Sequence, residues 1–186
     1  MIEPVVTNKD TFFHLVKSDV LRWRPIYSHF FFIRLLFLQH GFQLAFSLRL
    51  QKVLLRMPLV GKILSLFLWY FTCVITSSEC SPLSQYGAGL YFPHPVGVII
   101  GSKCVIGNNV SIYQSVTIGR KSYSEDGYPI IDDGAFVYAG AKIYGPIRIG
   151  KDSVIGANAV VTQSIPNRMV AVGIPAKIIK ERPVVI

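Results

Sequence analysis

Acid is scarce in this 186-residue chain, and between residues 11 and 62 it nearly disappears. There Asp19 stands alone against Lys17, Arg22, Arg24, Arg34, Arg49, Lys52, Arg56 and Lys62, which supply most of the net charge of +9. A basic region of this kind suits nucleic acid, an anionic membrane surface or an acidic substrate. Its bases are interleaved with Phe30, Phe31, Phe32, Leu35, Leu36, Phe37, Phe42 and Phe46. That is too apolar for a groove that tracks phosphates, so a nucleic-acid partner is not expected, while an anionic lipid surface explains both features. Long uncharged apolar runs are missing as well. The stretch from Ile63 to Thr76 is fourteen residues, short of the ~20 a bilayer-spanning helix needs. Ten of the twelve phenylalanines nevertheless lie before position 72, more than so small a helical region can cover, which favours a helix lying partly in a membrane interface. Met1 to Asp10 has no basic stretch followed by an apolar core, so no secretory signal is expected. Cys73, Cys80 and Cys104 are odd in number and lack metal-ligand spacing, and read as reduced thiols in a cytoplasmic protein. Only one histidine, His94, lies beyond position 40, so no multi-histidine metal centre is expected there.

What the chain does have is a repeat. Every sixth residue from Ile100 is a β-branched aliphatic: Ile106, Ile112 and Ile118, then, after an interruption, Ile131, Val137, Ile143, Ile149, Ile155 and Val161. Two positions earlier sits a smaller residue in most repeats: Val98, Cys104, Val110, Val116, Ala135, Ala141, Ser153 and Ala159, with Ile147 the large exception. A period of six fits neither a helix nor a simple strand pair and marks a stacked solenoid, about eighteen residues to the coil. Nothing between 98 and 161 offers a helical crossover, which excludes an ordinary parallel sheet. The expected fold is a left-handed parallel β-helix preceded by an α-helical region.

Taken in order, a short helix is expected to end before Pro25, and an apolar segment runs from Ile26 to Leu38 up to a break at His40-Gly41. Phe42 to Met57 reads as an amphipathic helix, with Phe42, Ala45, Phe46, Val53, Leu54 and Met57 on one side and Gln43, Ser47, Gln51, Lys52 and Arg56 mostly on the other. Pro58 ends it, and an apolar helix follows from Leu59 to Thr76. The expected organisation is a basic, aromatic helical region at 1–76, a β-helix at 77–180 with a projecting polar loop at 119–130, and a tail at 181–186.

His94, held between Pro93 and Pro95 beside a turn at the mouth of the solenoid, is the side chain best matched to removing a proton near neutral pH. The run His94-Pro-Val-Gly-Val-Ile-Ile-Gly, followed by Val105-Ile-Gly-Asn-Asn-Val-Ser-Ile-Tyr-Gln-Ser-Val-Thr-Ile-Gly and the closing Gly173-Ile-Pro-Ala-Lys, resembles the serine acetyltransferase branch of the hexapeptide acyltransferases over roughly residues 77 to 180. The resemblance implies a homotrimer with active sites between subunits and acetyl-CoA as donor, with no metal. It implies His94 as general base and Glu79, fifteen positions earlier, as its acidic helper. The chemistry needs both: the acceptor hydroxyl must lose its proton as it attacks the thioester, and a carboxylate on the far ring nitrogen steadies the imidazolium. For the donor, the resemblance points to Lys142, Lys177 and Lys180 near the nucleotide phosphates. Ala139, Gly140 and Ala157 are the small residues that permit close approach.

The pattern departs from enzymes of free serine at the acceptor end. Their acid before the base is Pro93 here, and their second active-site histidine is Tyr128, ahead of Pro129. Pro93 offers no partner to an ammonium group. Pro93, Tyr128 and Gln114 are therefore the expected acceptor-contacting positions, and the short basic helical region resembles acetyltransferases of capsule, exopolysaccharide and lipopolysaccharide clusters. On this reading the acceptor is a sugar hydroxyl of a surface polysaccharide or its lipid-linked precursor, reached at the inner face of the cytoplasmic membrane. The alternative is a serine O-acetyltransferase making O-acetylserine for cysteine biosynthesis. The terminal Ile186 points toward that alternative, since serine acetyltransferases dock into their sulfhydrylase partner through such a residue. N-acetylation of an amino sugar differs only in acceptor. A hexapeptide metal enzyme of the carbonic anhydrase kind would need three histidines where residues 77 to 186 hold one, and a purely structural solenoid would give no reason for Glu79, His94 and the loop to occur together.

Overall fold

A computed structural model describes residues 11–122 and 127–183. Four helices come first: α1 (Phe12–Leu21), α2 (His29–Leu38), α3 (His40–Leu54) and α4 (Val60–Thr76). Short parallel strands then wind into three faces. The first face stacks β1 (Glu79–Cys80), β3 (Ile99–Ile100), β6 (Thr117–Gly119), β9 (Lys142–Tyr144) and β12 (Val160–Val161). The second stacks β2 (Gln85–Tyr86), β4 (Val105–Ile106), β7 (Ile130–Ile131) and β10 (Arg148–Ile149). The third stacks β5 (Ser111–Ile112), β8 (Phe136–Val137), β11 (Val154–Ile155) and β13 (Met169–Val172), and β14 (Lys177–Glu181) closes it antiparallel to β13. This is the left-handed parallel β-helix that the period of six implies. The repeat column from Ile100 to Val161 is the core, each member at most 2% exposed. The smaller residues two positions earlier fill the corners beside it, Val98, Cys104, Val110, Val116, Ala135, Ala141, Ser153 and Ala159 all fully buried.

Two arginines rivet the helices to the lowest coils. Arg49 on α3 grips Asp19 on α1 with both arms, Nε to Oδ2 and Nη2 to Oδ1 each at 3.0 Å, and also donates to the carbonyls of Tyr86 and Gly87. Asp19 in turn accepts from the Leu90 backbone N–H at 2.8 Å. Arg22 donates to Asn109 O and Ser111 Oγ and lies over the Tyr91 ring. Lys52 on α3 adds a bond to Ser84 O at 2.9 Å, so three of the eight bases are structural ties rather than surface charge.

The helical region differs from its sequence reading in two ways. Only Gln39 separates α2 from α3, which meet at 100°, and Gly41 lies inside α3 instead of breaking it. Its hydrogen side chain is required by packing: a Cβ there would sit 1.7 Å from the Phe92 carbonyl oxygen. Nor is α3 simply amphipathic, because Ser47, Arg49 and Gln51 are buried while Val53 and Met57 are exposed. The helix is central, packed on α1, α2 and α4, so its polar side faces neighbours instead of water.

Candidate active site

The corner from the third face to the first recurs in each coil. Its lowest turn begins at His94 and ends in Gly97. Above it stand Gln114-Ser115, then Ala139-Gly140, then Ala157-Asn158. Backbone bonds stack these turns: Ser115 N donates to Val96 O, Gly140 N to Gln114 O and Asn158 N to Ala139 O, at 2.9, 2.9 and 2.8 Å. Each turn places one residue in the left-handed region, Gly97, Ser115, Gly140 and Asn158 with φ between 56 and 76°, which is what bends the chain by a constant angle at constant height. Gln114, Ala139 and Ala157, scattered along the sequence, therefore stack in one column over Val96, beside the column of Gly97, Ser115, Gly140 and Asn158, and His94 lies two residues before Val96 with Pro93 next to it in the same lowest turn. Lys177 stands at the top, beside Ala176, whose N–H donates to Val160 O at 2.8 Å, and Lys180 lies further along β14, toward the opposite edge of its face. The Gln114 Oε1 is buried with no partner among the described residues, a free acceptor at this corner.

Glu79 and His94 are set by the junction of helix and coil. α4 ends at Thr76, Ser77 turns left-handed (φ 51°), and β1 begins two residues later with Glu79. Ser78, buried between them, donates to Pro95 O and accepts from Val98 N at 2.9 Å, while Gly97 N donates to Ser77 O at 3.0 Å. This knot holds the Glu79 strand against the segment that follows His94. Both side chains are exposed and no bond joins them within one chain. Sequence reasoning missed Ser78 and Gly41: the first looks like any linker serine, and the second like a helix break, though it lets α3 abut the residue two before His94.

Other positions fall elsewhere. Lys142 is not a free cation, since its ammonium donates to Ser115 O at 2.8 Å and Thr117 Oγ1 at 3.0 Å, tying two coils together. Tyr128 lies at the base of the loop with its ring over Gly101, at the corner between the first and second faces. There it lines a cavity of about 480 Å³ with Lys103, Pro146 and Arg148. The whole first face separates it from His94, so one chain does not bring the two together. Residues 123–126 of the loop and the terminal Ile186 lie outside the described residues.

A β-helix with an exposed histidine at the foot of a small-residue corner defines a solenoid transferase. Residues 128–163 match the bacterial transferase hexapeptide family model (six repeats), and residues 87–114 the hexapeptide repeat of succinyl-transferase. The chain is 40% identical over 110 residues to serine acetyltransferase of Mycobacterium tuberculosis H37Rv, covering 59% of this chain and 48% of that one. It is 44% identical over 108 residues to that of Staphylococcus aureus Mu50, covering 57% and 50%. The chain spans about half the length of these relatives. Among solved structures, serine acetyltransferase from Brucella abortus superposes with a TM-score of 0.81 at 32% identity, over 92% of this chain and 70% of that one. The same enzyme in complex with coenzyme A gives 0.81 at 31%, over 92% and 69%. The chain belongs to the hexapeptide-repeat acyltransferase family.

These findings correct the expected acceptor. The relatives are serine acetyltransferases, not polysaccharide O-acetyltransferases, and a match over 92% of the chain takes in the helices that had suggested a different branch. Pro93 removes one acid from the pattern of the free-serine enzymes, but Glu79, at the start of β1, remains as an exposed carboxylate.

Proposed function

We propose that the chain is an acetyl-CoA-dependent O-acetyltransferase whose acceptor is the hydroxyl of L-serine, working in the cytoplasm. The observation that carries this reading is the stacked corner of Gln114, Ala139, Gly140 and Ala157, with Lys177 above it and His94 in its lowest turn. The pantetheine arm lies along the small residues, with Lys177 toward the nucleotide phosphates. His94 takes the hydroxyl proton as the serine oxygen attacks the thioester carbonyl; the C–S bond breaks, and the imidazolium returns the proton to the leaving thiolate. Glu79 holds the ring and balances its charge. A homotrimer is expected to complete the site, because within one chain the first face separates Tyr128 from His94.

Following thiol release with L-serine tests this. His94→Ala is expected to lose at least ~10²-fold, and Glu79→Gln to lower kcat with little change in the KM for acetyl-CoA. His94→Ala retaining more than about a tenth of the activity would remove the base assignment, since proton transfer by a positioned side chain contributes far more. Light scattering is expected to give three chains per particle; an active monomer would contradict the shared site.

A further inference from the structure

The fourth helix is built inside out. The residues α4 turns inward are Gly61, Ser65, Thr72 and Thr76, all buried. Those it turns outward include Ile63, Leu66, Phe67, Tyr70, Phe71 and Val74, 49 to 66% exposed. Its union with α3 is close and polar: Ser47 Oγ and Thr72 Oγ1 share a hydrogen bond of 2.8 Å, and Gln51 Nε2 donates to Ser47 Oγ at 2.8 Å. A Cβ on Gly61 would meet Leu54 O at 2.1 Å. Small and hydroxyl-bearing residues between helices, with large apolar ones outside, is how helices pack when the surrounding medium is lipid. In water the hydrophobic effect drives the opposite arrangement. α2 extends the apolar face with Phe30, Ile33 and Phe37, 53 to 78% exposed. A groove of about 340 Å³ between α2, α3 and α4 opens among these side chains, lined chiefly by Leu36, Phe37, Phe46, Leu50, Leu68 and Phe71.

The charge of the whole helical region, with Arg34 on α2 and Lys62 on α4, selects the occupant. Its one acid, Asp19, is buried against Arg49, so every exposed charge from residue 11 to 78 is positive: Lys17, Arg24, Arg34, Arg56 and Lys62. A second copy docked face to face would set like charge against like, whereas anionic headgroups match both the bases and the apolar face between them. No single helix among the described residues is long and apolar enough to cross a membrane. We propose that the face formed by α2 and α4 docks on an anionic membrane surface, with α4 lying in the interface. This attachment is independent of which acceptor the active-site corner uses.

The test is co-sedimentation of the full chain with vesicles of phosphatidylcholine and phosphatidylglycerol. Binding is expected at low salt, weaker as salt is raised and weaker still on phosphatidylcholine alone. Arg34→Gln and Lys62→Gln are each expected to weaken it about fivefold. Phe67→Ser/Phe71→Ser is expected to abolish binding while acetyl transfer in solution and particle size stay as in the parent. Protein left in the supernatant at low salt would overturn the proposal, as would equal binding to neutral vesicles. A change of particle size in Phe67→Ser/Phe71→Ser would also overturn it, assigning the face to a second copy.

Discussion

The β-helix and the helices that precede it are both rich in large apolar residues, yet they dispose of them in opposite directions. In the coils, Ile106, Ile118, Ile143 and Ile155 are completely buried, while on α4 Phe67 is 66% and Val74 63% exposed. The difference lies in where each region finds its partner. A coil stacks on the next coil, so its inward direction is fixed by the chain itself and burial is complete without outside help. A thin layer of helices has few neighbours of its own, and α4 gives its small polar side to α3 and its apolar side to the surroundings. Apolar content by itself does not locate a core; periodicity does where a closed geometry enforces it, and otherwise only the contacts decide.

The sharpest way to break this contrast is to cut the two regions apart. Arg49→Leu leaves the Asp19 carboxylate buried without its guanidinium, a loss of about 3–5 kcal/mol for an ion pair stripped of one partner. Thermal unfolding followed by far-UV circular dichroism should then lose helical signal ahead of strand signal, because the coils keep their own core. A single unshifted transition would mean that the pair contributes nothing to the junction. A second comparison sets one side chain from each region against the other in chemical denaturation. Ile118→Ala should cost about 2–5 kcal/mol, as a truncated core position does. Phe67→Ala should stay within about 0.5 kcal/mol without lipid, as exposed positions do. Similar costs for the two would show that α4 is covered in solution.

The coils were legible because a solenoid repeats its burial pattern at a fixed interval, so the column from Ile100 to Val161 could be read residue by residue. His94 and Glu79 were legible only through a resemblance, while the ties that set their backbones, Ser78 and the left-handed turn at Ser77, were not legible at all. The stacking of Ala139 on Gln114 was hidden by the loop inserted between Gly119 and Ile130, which breaks the count of residues per coil. Arg49 and Asp19 looked like surface charges because a sequence lists charges without showing which ones face each other. Gly41 read as a helix break, and only the approach of Phe92 shows it to be a close contact inside α3.

The smallest expected effect separates the same two regions by their thiols. Cys80 and Cys104 lie in the coils and are buried, whereas Cys73 on α4 is partly exposed. Burial pushes the Cys104 thiol up to about 12 from an ordinary 9.0, and Cys80 higher still. A thiol raised in the folded state favours folding below its unfolded value, and that advantage is lost as pH rises through the folded one. The protein should therefore lose stability between about pH 9 and 12, by ~1 kcal/mol for each of the two thiols near pH 10, and Cys104→Ala should flatten that slope. At neutral pH the same raised values leave almost no thiolate to react. Alkylation with iodoacetamide followed by mass spectrometry should then mark Cys73 first, and Cys80 and Cys104 only after denaturation. Equal labelling of all three in the folded protein would mean that the lowest coils open readily, and the contrast between a self-sufficient solenoid and a dependent helical layer would not hold at their junction.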